Sequence, residues 1–106
     1  MDAKTRTRYR RRALVMKALA HPTRLFLVDQ LATGEACVCE LTQLVGDDPS
    51  TVSKHLSLLK HAGVVQDDKR GNQVFYSLRV PCVLHWASCV EGVLEASGRE
   101  DLAAVR

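Results

Sequence analysis

CVCELTQLVGDDPSTVSKHLSLLKHAG, residues 37–63, decides how the rest of the chain is read. Gly46-Asp47-Asp48 is turn material that divides it into two helical halves. In the second half Asp48 suits an N-cap, Pro49 a first helical residue, and Gly63 a stop, which predicts a helix over 50–62. Val52, Leu56 and Leu59 then fall on one inward stripe. At 3.6 residues per turn the opposite face carries Ser50, Ser53, Lys54, Ser57 and His61, with Thr51 at the exposed N-terminal end. His55 lies on the flank of the buried stripe, where a packed, hydrogen-bonded ring is expected. In the first half, Val38, Leu41, Leu44 and Val45 predict a short helix within Glu35 to Val45. A short helix, a tight turn and a longer helix make a helix-turn-helix.

Downstream, Val64 and Val65 precede a polar turn spanning Asp67 to Asn72, after which Val74, Tyr76 and Leu78 alternate with Phe75 and Ser77. That alternation after Gly71-Asn72 predicts a β-hairpin, and a hairpin directly behind a helix-turn-helix is a wing. Pro81 opens a last helix from about Cys82 to Ala96, and 97–106 reads as a frayed tail. Upstream, Leu14, Val15, Ala18 and Leu19 predict a helix from about Tyr9 to Ala20, leaving 1–8 as a flexible basic arm. His21-Pro22-Thr23 breaks that pattern and starts a second helix, with Leu25, Val28, Leu31 and Ala32 on its apolar stripe and Gly34 at its close. The fold class is mainly α with a small β-hairpin, a single winged helix-turn-helix domain over 1–106. A chain of 106 residues buries a modest core, so a homodimer through the first and last helices is expected.

With 46% hydrophobic and 25% charged residues the composition is that of a globular protein rather than a disordered one. No apolar run reaches the roughly 18 residues of a membrane span, and no secretory signal is visible, so the chain reads as cytoplasmic and without a membrane partner. In that compartment the four cysteines are expected to be free, metal-binding or redox-active rather than a disulfide framework. No paired carboxylates, nucleophile-base arrangement or phosphate-cradling glycine loop stands out, which argues against an enzyme.

Charge is unevenly placed. Residues 1–24 hold eight Lys or Arg against Asp2 alone, a balance of +7, so the remainder of a chain with formal charge +3 stands at −4. A basic end suggests an anionic partner. Small hydroxyls, a cation and an imidazole on the exposed face of the 50–62 helix suit the major groove, where they meet base edges and phosphates. Lys69 and Arg70, beside Asn72 at the wing tip, suit the backbone or the minor groove. The partner expected from these features is double-stranded DNA.

Cys37 and Cys39 lie about 200° apart on a regular helix, and on one side only where the backbone is extended or irregular. A soft ion can therefore take both sulfurs only if the helix start is irregular. Cys82 and Cys89 share a face of the last helix at roughly 10 Å separation, too far to hold one ion together. At most one of them readily completes a site with Cys37 and Cys39. Thiolates select soft ions. His85 with Glu91 or Glu95 offers a harder donor set on the same helix.

The stretch LAHPTRLFLVDQL at 19–31, the CVCEL box at 37–41, STVSKHLSLLKHAGVV at 50–65 and VFYSL at 74–78 together resemble the ArsR/SmtB family of winged-helix metalloregulators. The similarity covers most of 14–95, and the CVC box resembles the arsenic-responsive branch. The resemblance implies a homodimeric repressor that binds a palindromic operator and is released by ligand. In arsenic-type members the box is similar to CVCDLC, whose three thiolates hold trivalent arsenic. Here Thr42 stands where the third cysteine would be, so a third ligand would come from Cys82 or Cys89. Trivalent arsenic (arsenite) or antimony is the implied inducer, with cadmium or zinc as further candidates. Two other readings of the same residues are a thiol redox or persulfide sensor and a constitutive DNA-binding protein with inert cysteines.

Overall fold

A computed structural model of the chain describes residues 1–98. Five helices and three strands follow in the order α1 (Ala3–Leu19), α2 (Pro22–Gln30), β1 (Ala36–Cys37), α3 (Val38–Val45), α4 (Pro49–His61), β2 (Val65–Arg70), β3 (Gln73–Leu78) and α5 (Val83–Ser97). Apart from β1 this is the winged helix-turn-helix that the sequence predicts.

Four boundaries differ from the sequence reading, each for a local reason. Helix α1 begins at Ala3 rather than near Tyr9, because the Asp2 side chain accepts a 2.7 Å hydrogen bond from the Thr5 N–H and so caps it. The basic segment 1–8 is therefore the first two turns of a helix and not a separate arm. Helix α2 ends at Gln30 and tightens into a 3-10 turn over Leu31–Thr33 before Gly34, whose φ of 136° only glycine adopts readily. Ala36 and Cys37 form a strand in place of the first turn of the expected 35–45 helix. Strand β2 runs on to Arg70, so the expected polar turn at 67–72 shrinks to Gly71-Asn72, with φ of 62° at Gly71. The expected tail at 97–106 lies outside the described residues except for Ser97, which ends α5, and Gly98.

The sheet has the order β1-β3-β2, antiparallel throughout. Ala36 faces Tyr76 and Cys37 faces Phe75 on one side of β3, while Val65 faces Leu78 and Arg70 faces Gln73 on the other. The wing is thus rooted in the segment that starts α3. Leu27, Leu41, Val52, Leu56 and Leu59 have no exposed surface and form the centre of the core with Leu19, Val28, Leu31, Val64, Val65 and Tyr76. Three of these, Val52, Leu56 and Leu59, are the stripe read from the sequence, so one face of α4 is fixed inward and the other is left free.

Helices α1 and α5 are different. Leu19 is the one buried residue of α1 and α5 has none. Leu14, Val15, Met16, Val90, Val93 and Leu94 remain 38–63% exposed, which leaves an apolar surface that the described residues of one protomer do not cover. Among the described residues no helix is long and apolar enough to cross a membrane.

Candidate nucleic-acid interface and thiol pair

The α4 face begins at its cap. The Asp48 side chain accepts from the Thr51 N–H at 3.3 Å, from the Thr51 hydroxyl at 2.6 Å and from the Ser50 hydroxyl. The Ser50 and Thr51 hydroxyls hold this carboxyl down to about 2. Each hydroxyl has its proton committed to Asp48, so both present only lone pairs outward. They can accept from base amino groups but cannot donate to phosphate.

Ser53, Lys54, Ser57 and His61 are exposed along the helix, as the arithmetic of the sequence requires. His61 Nδ1 lies 2.8 Å from the Ser57 carbonyl, which can only accept, so Nδ1 carries a proton and donates, and Nε2 is the ring nitrogen left without that bond. His55 turns the other way, toward the start of α2, where its ring centroid is 4.5 Å from that of His21. It belongs to the packing side of α4, as its flank position suggests.

On the wing, Lys69, Arg70 and Asn72 are exposed, but they are not equivalent. Arg70 grips Glu35 with both terminal nitrogens, at 2.6 and 2.9 Å, and donates from Nε to Asp68 at 2.9 Å. Its guanidinium also lies over the Phe75 ring at 4.7 Å. The Arg70 hydrogen bonds hold the Glu35 carboxyl below the usual carboxylate range, and those acids raise Arg70 in turn. Arg70 therefore ties the wing to the residue before β1, and Lys69 is the cation at the tip with no carboxylate partner among the described residues. Sequence reading missed Glu35 because nothing local distinguishes it; its partner is 35 residues away.

The thiol pair sits where β1 turns into α3. Cys37 is extended, with φ −79° and ψ 157°, and acts as the N-cap of α3, while Cys39 lies within the first turn. That switch from extended to helical backbone cancels the opposition a regular helix would impose. The two Cα atoms are 5.3 Å apart and the sulfurs are joined as a disulfide. Cys37 is buried and Cys39 exposed. The Glu40 N–H donates to Cys37 Sγ at 3.3 Å, and the Glu40 carboxylate lies 3.5 Å from the same sulfur. Only a reduced Cys37 has a proton to give that carboxylate, so Glu40 favours the thiol over the disulfide by one weak hydrogen bond.

Cys82, just before α5, and Cys89, within it, are free and exposed. Among the described residues no three of His, Cys, Asp and Glu converge as a metal site. Within one protomer neither Cys82 nor Cys89 completes a three-ligand set with Cys37 and Cys39, and His85, Glu91 and Glu95 form none of their own.

The family described as bacterial regulatory protein, arsR family, matches residues 21–67, the span from the start of α2 into β2. Arsenic resistance transcriptional regulator ArsR1 of Pseudomonas putida is 37% identical over 86 residues, 79% of this chain and 66% of that protein. The first curated relatives are matched over 58–66% of their own length. Among solved structures, the transcriptional repressor BigR from Xylella fastidiosa superposes with TM-score 0.72 and 31% identity, covering 88% of this chain and 96% of that one. The homodimeric winged helix-turn-helix domain Mb0332 from Mycobacterium bovis superposes with TM-score 0.78 and 28% identity over 90% of this chain and 88% of that one. The matched residues contain the helix-turn-helix and the CVC box, and the fold extends the match through the wing and last helix: the chain belongs to the arsR family of bacterial regulatory proteins.

Proposed function

We propose that this chain is a homodimeric, operator-binding transcriptional repressor, controlled at Cys37 and Cys39 and released by trivalent arsenic or antimony. One observation carries the reading. The two sulfurs meet at the N-terminus of α3, the support helix that leads through Gly46-Asp47-Asp48 into α4. Thiolates prefer soft ions, and both sulfurs can bind only while the backbone stays extended at Cys37. Ligation would thus hold the start of α3 in one geometry and bias the helix that follows it. A third thiolate, absent from the protomer's own pair, would come from Cys82 or Cys89 of a second copy, in keeping with the uncovered apolar faces of α1 and α5. Cadmium or zinc would need the same added donor.

The DNA face is α4 with its exposed Ser53, Lys54, Ser57 and His61, the acceptor oxygens of Ser50 and Thr51 at its leading end, and Lys69 and Asn72 on the wing. Arg70 contributes only if Glu35 releases it. Glu35→Gln is therefore expected to change the melting temperature by no more than a degree or two, as exposed ion pairs usually do. Operator affinity should rise about twofold to tenfold, because a freed guanidinium gains a phosphate contact. A loss of affinity would mean that the tether positions the wing.

The deciding test is release of a labelled operator duplex on titrating arsenite with a thiol-free reductant present. Release is expected from the wild-type protein and not from Cys37→Ser or Cys39→Ser; release that survives both changes sinks the assignment. Cys82→Ser and Cys89→Ser identify the third donor. A second reading is favoured by the juxtaposed sulfurs themselves, which suit a dithiol-disulfide switch. In that case release follows oxidant, arsenite has no effect, and the released protein is lighter by two hydrogens.

A further inference from the structure

At the corner where α1 meets α2, three side chains join the recognition helix to the rest of the fold. Arg24 donates from Nε to the Ala18 carbonyl at 2.5 Å and from Nη2 toward the Lys17 carbonyl at 3.5 Å, which closes the end of α1. Its Nη1 is 3.2 Å from Nδ1 of His55, on α4. A guanidinium has only donors, so His55 Nδ1 must present its lone pair and the neutral ring must carry its proton on Nε2. His21 is locked in the same way: its Nδ1 accepts the Thr23 N–H at 3.1 Å and so caps α2. The two rings lie against each other, 4.5 Å between centroids and tilted by 43°. Both hydrogen bonds thus exist only while each Nδ1 is unprotonated.

We propose that Arg24, His21 and His55 form an acid-sensitive latch, in which Arg24 and His21 are positioning residues that fix α4 against the α1–α2 corner and protonation of the His55 imidazole releases it. A proton on His55 Nδ1 sets an N–H against the Arg24 N–H. An imidazolium at His55 beside the Arg24 guanidinium would then put two cations in one corner, which is costly where solvent is partly excluded. The charged and titratable groups acting on His55 are His21 and Arg24 from the start of α2 and Asp47 from the α3–α4 turn. Burial lowers the His55 imidazole, the charges of His21 and Arg24 lower it further, and Asp47 opposes them. A lowered imidazole binds fewer protons folded than unfolded. Its contribution to stability is complete above the unfolded value and is lost as pH falls through the folded one.

The consequence for operator binding rests on the repressor reading above, whereas the latch itself does not need DNA. The test therefore has two arms, each run between pH 7.5 and pH 5 on wild type, Arg24→Ala and the double variant His21→Asn/His55→Asn. Asn places an oxygen near Nδ1 and caps helices well, but does not titrate. Without DNA, urea midpoints should fall with acid in the wild type, fall less in the double variant, and be low at every pH in Arg24→Ala. With operator, wild-type affinity should drop about fivefold to tenfold across the range, and the double variant by less than twofold. Failure of all variants to bind operator would count against the repressor reading alone. Equal acid sensitivity of wild type and the Asn variant in the urea arm overturns the latch. So does an Arg24→Ala protein whose pH profile matches the wild type.

Discussion

Leu56→Ala is expected to lower the stability of the fold by about 3 kcal/mol, within the range of roughly 2–5 for a buried leucine cut back to alanine. Leu56 has no exposed surface and sits on the stripe that seats α4 in the core, between Val52 and Leu59. Helices α2 and α3, which support α4, pack around the same cluster, so the void left by three missing carbons cannot be filled from one side. For a chain of this size the melting temperature should fall by roughly 10–20 °C. Urea denaturation at a fixed protein concentration is the measurement, because a homodimer's apparent stability depends on concentration. A loss below about 1 kcal/mol would mean that the core can collapse around the site and that α4 is less firmly seated than its burial indicates.

Lys54→Glu should behave in the opposite way. Lys54 is exposed and close in sequence to Leu56 but on the far face of the helix, so the replacement should move stability by no more than about 0.5 kcal/mol. Operator affinity, by contrast, should fall roughly 100-fold, since on the proposed interface the substitution removes a phosphate or guanine contact and puts a carboxylate against the backbone. The slope of log affinity against log salt should shrink by about 1 per protomer. Fluorescence anisotropy over a salt series would read both quantities. An unchanged slope with unchanged affinity would remove Lys54 from the interface, and with it the face defined by Ser53, Ser57 and His61.

These two residues also mark how far the sequence could be read. Leu56 and Lys54 were assigned to opposite faces from spacing alone, because the Asp48-Pro49 start and the Gly63 stop fix the helix and 3.6 residues per turn does the rest. The same local logic located α2, α3 and α5 within a few residues. What stayed hidden was every feature made by residues far apart in the chain. Strand β1 is two residues long and has no periodicity of its own; it exists because Phe75 and Tyr76 pair with it. Arg70 reads as a free cation until Glu35 is brought beside it by that pairing. His55 reads as a flank residue, and only folding sets it on His21. The early start of α1 was a different kind of miss, since the Asp2 cap was present in the sequence but outweighed by the charge run behind it.

The thiol pair was legible as a pair, and the need for irregular backbone followed from the angle between neighbours on a helix. Its setting was not. An extended Cys37 arises from the cross-strand partner rather than from anything in CVCEL. The missing third donor followed from the family resemblance, which puts Thr42 where arsenic-type members carry a cysteine, and the structure locates no substitute within the described residues of one protomer.

Cys37 holds three positions at once: partner of Phe75 in the ladder, cap of α3, and half of the thiol pair. A two-residue strand is the thinnest rung of the sheet, so its opening frees one side of β3. Under the proposed control at the sulfurs, whatever binds or joins them is expected to change that opening frequency, an effect that would reach β3 without any rigid-body motion of a helix. Amide hydrogen exchange along Val74 to Tyr76 is thus a clock for chemistry at a cysteine nearly forty residues upstream.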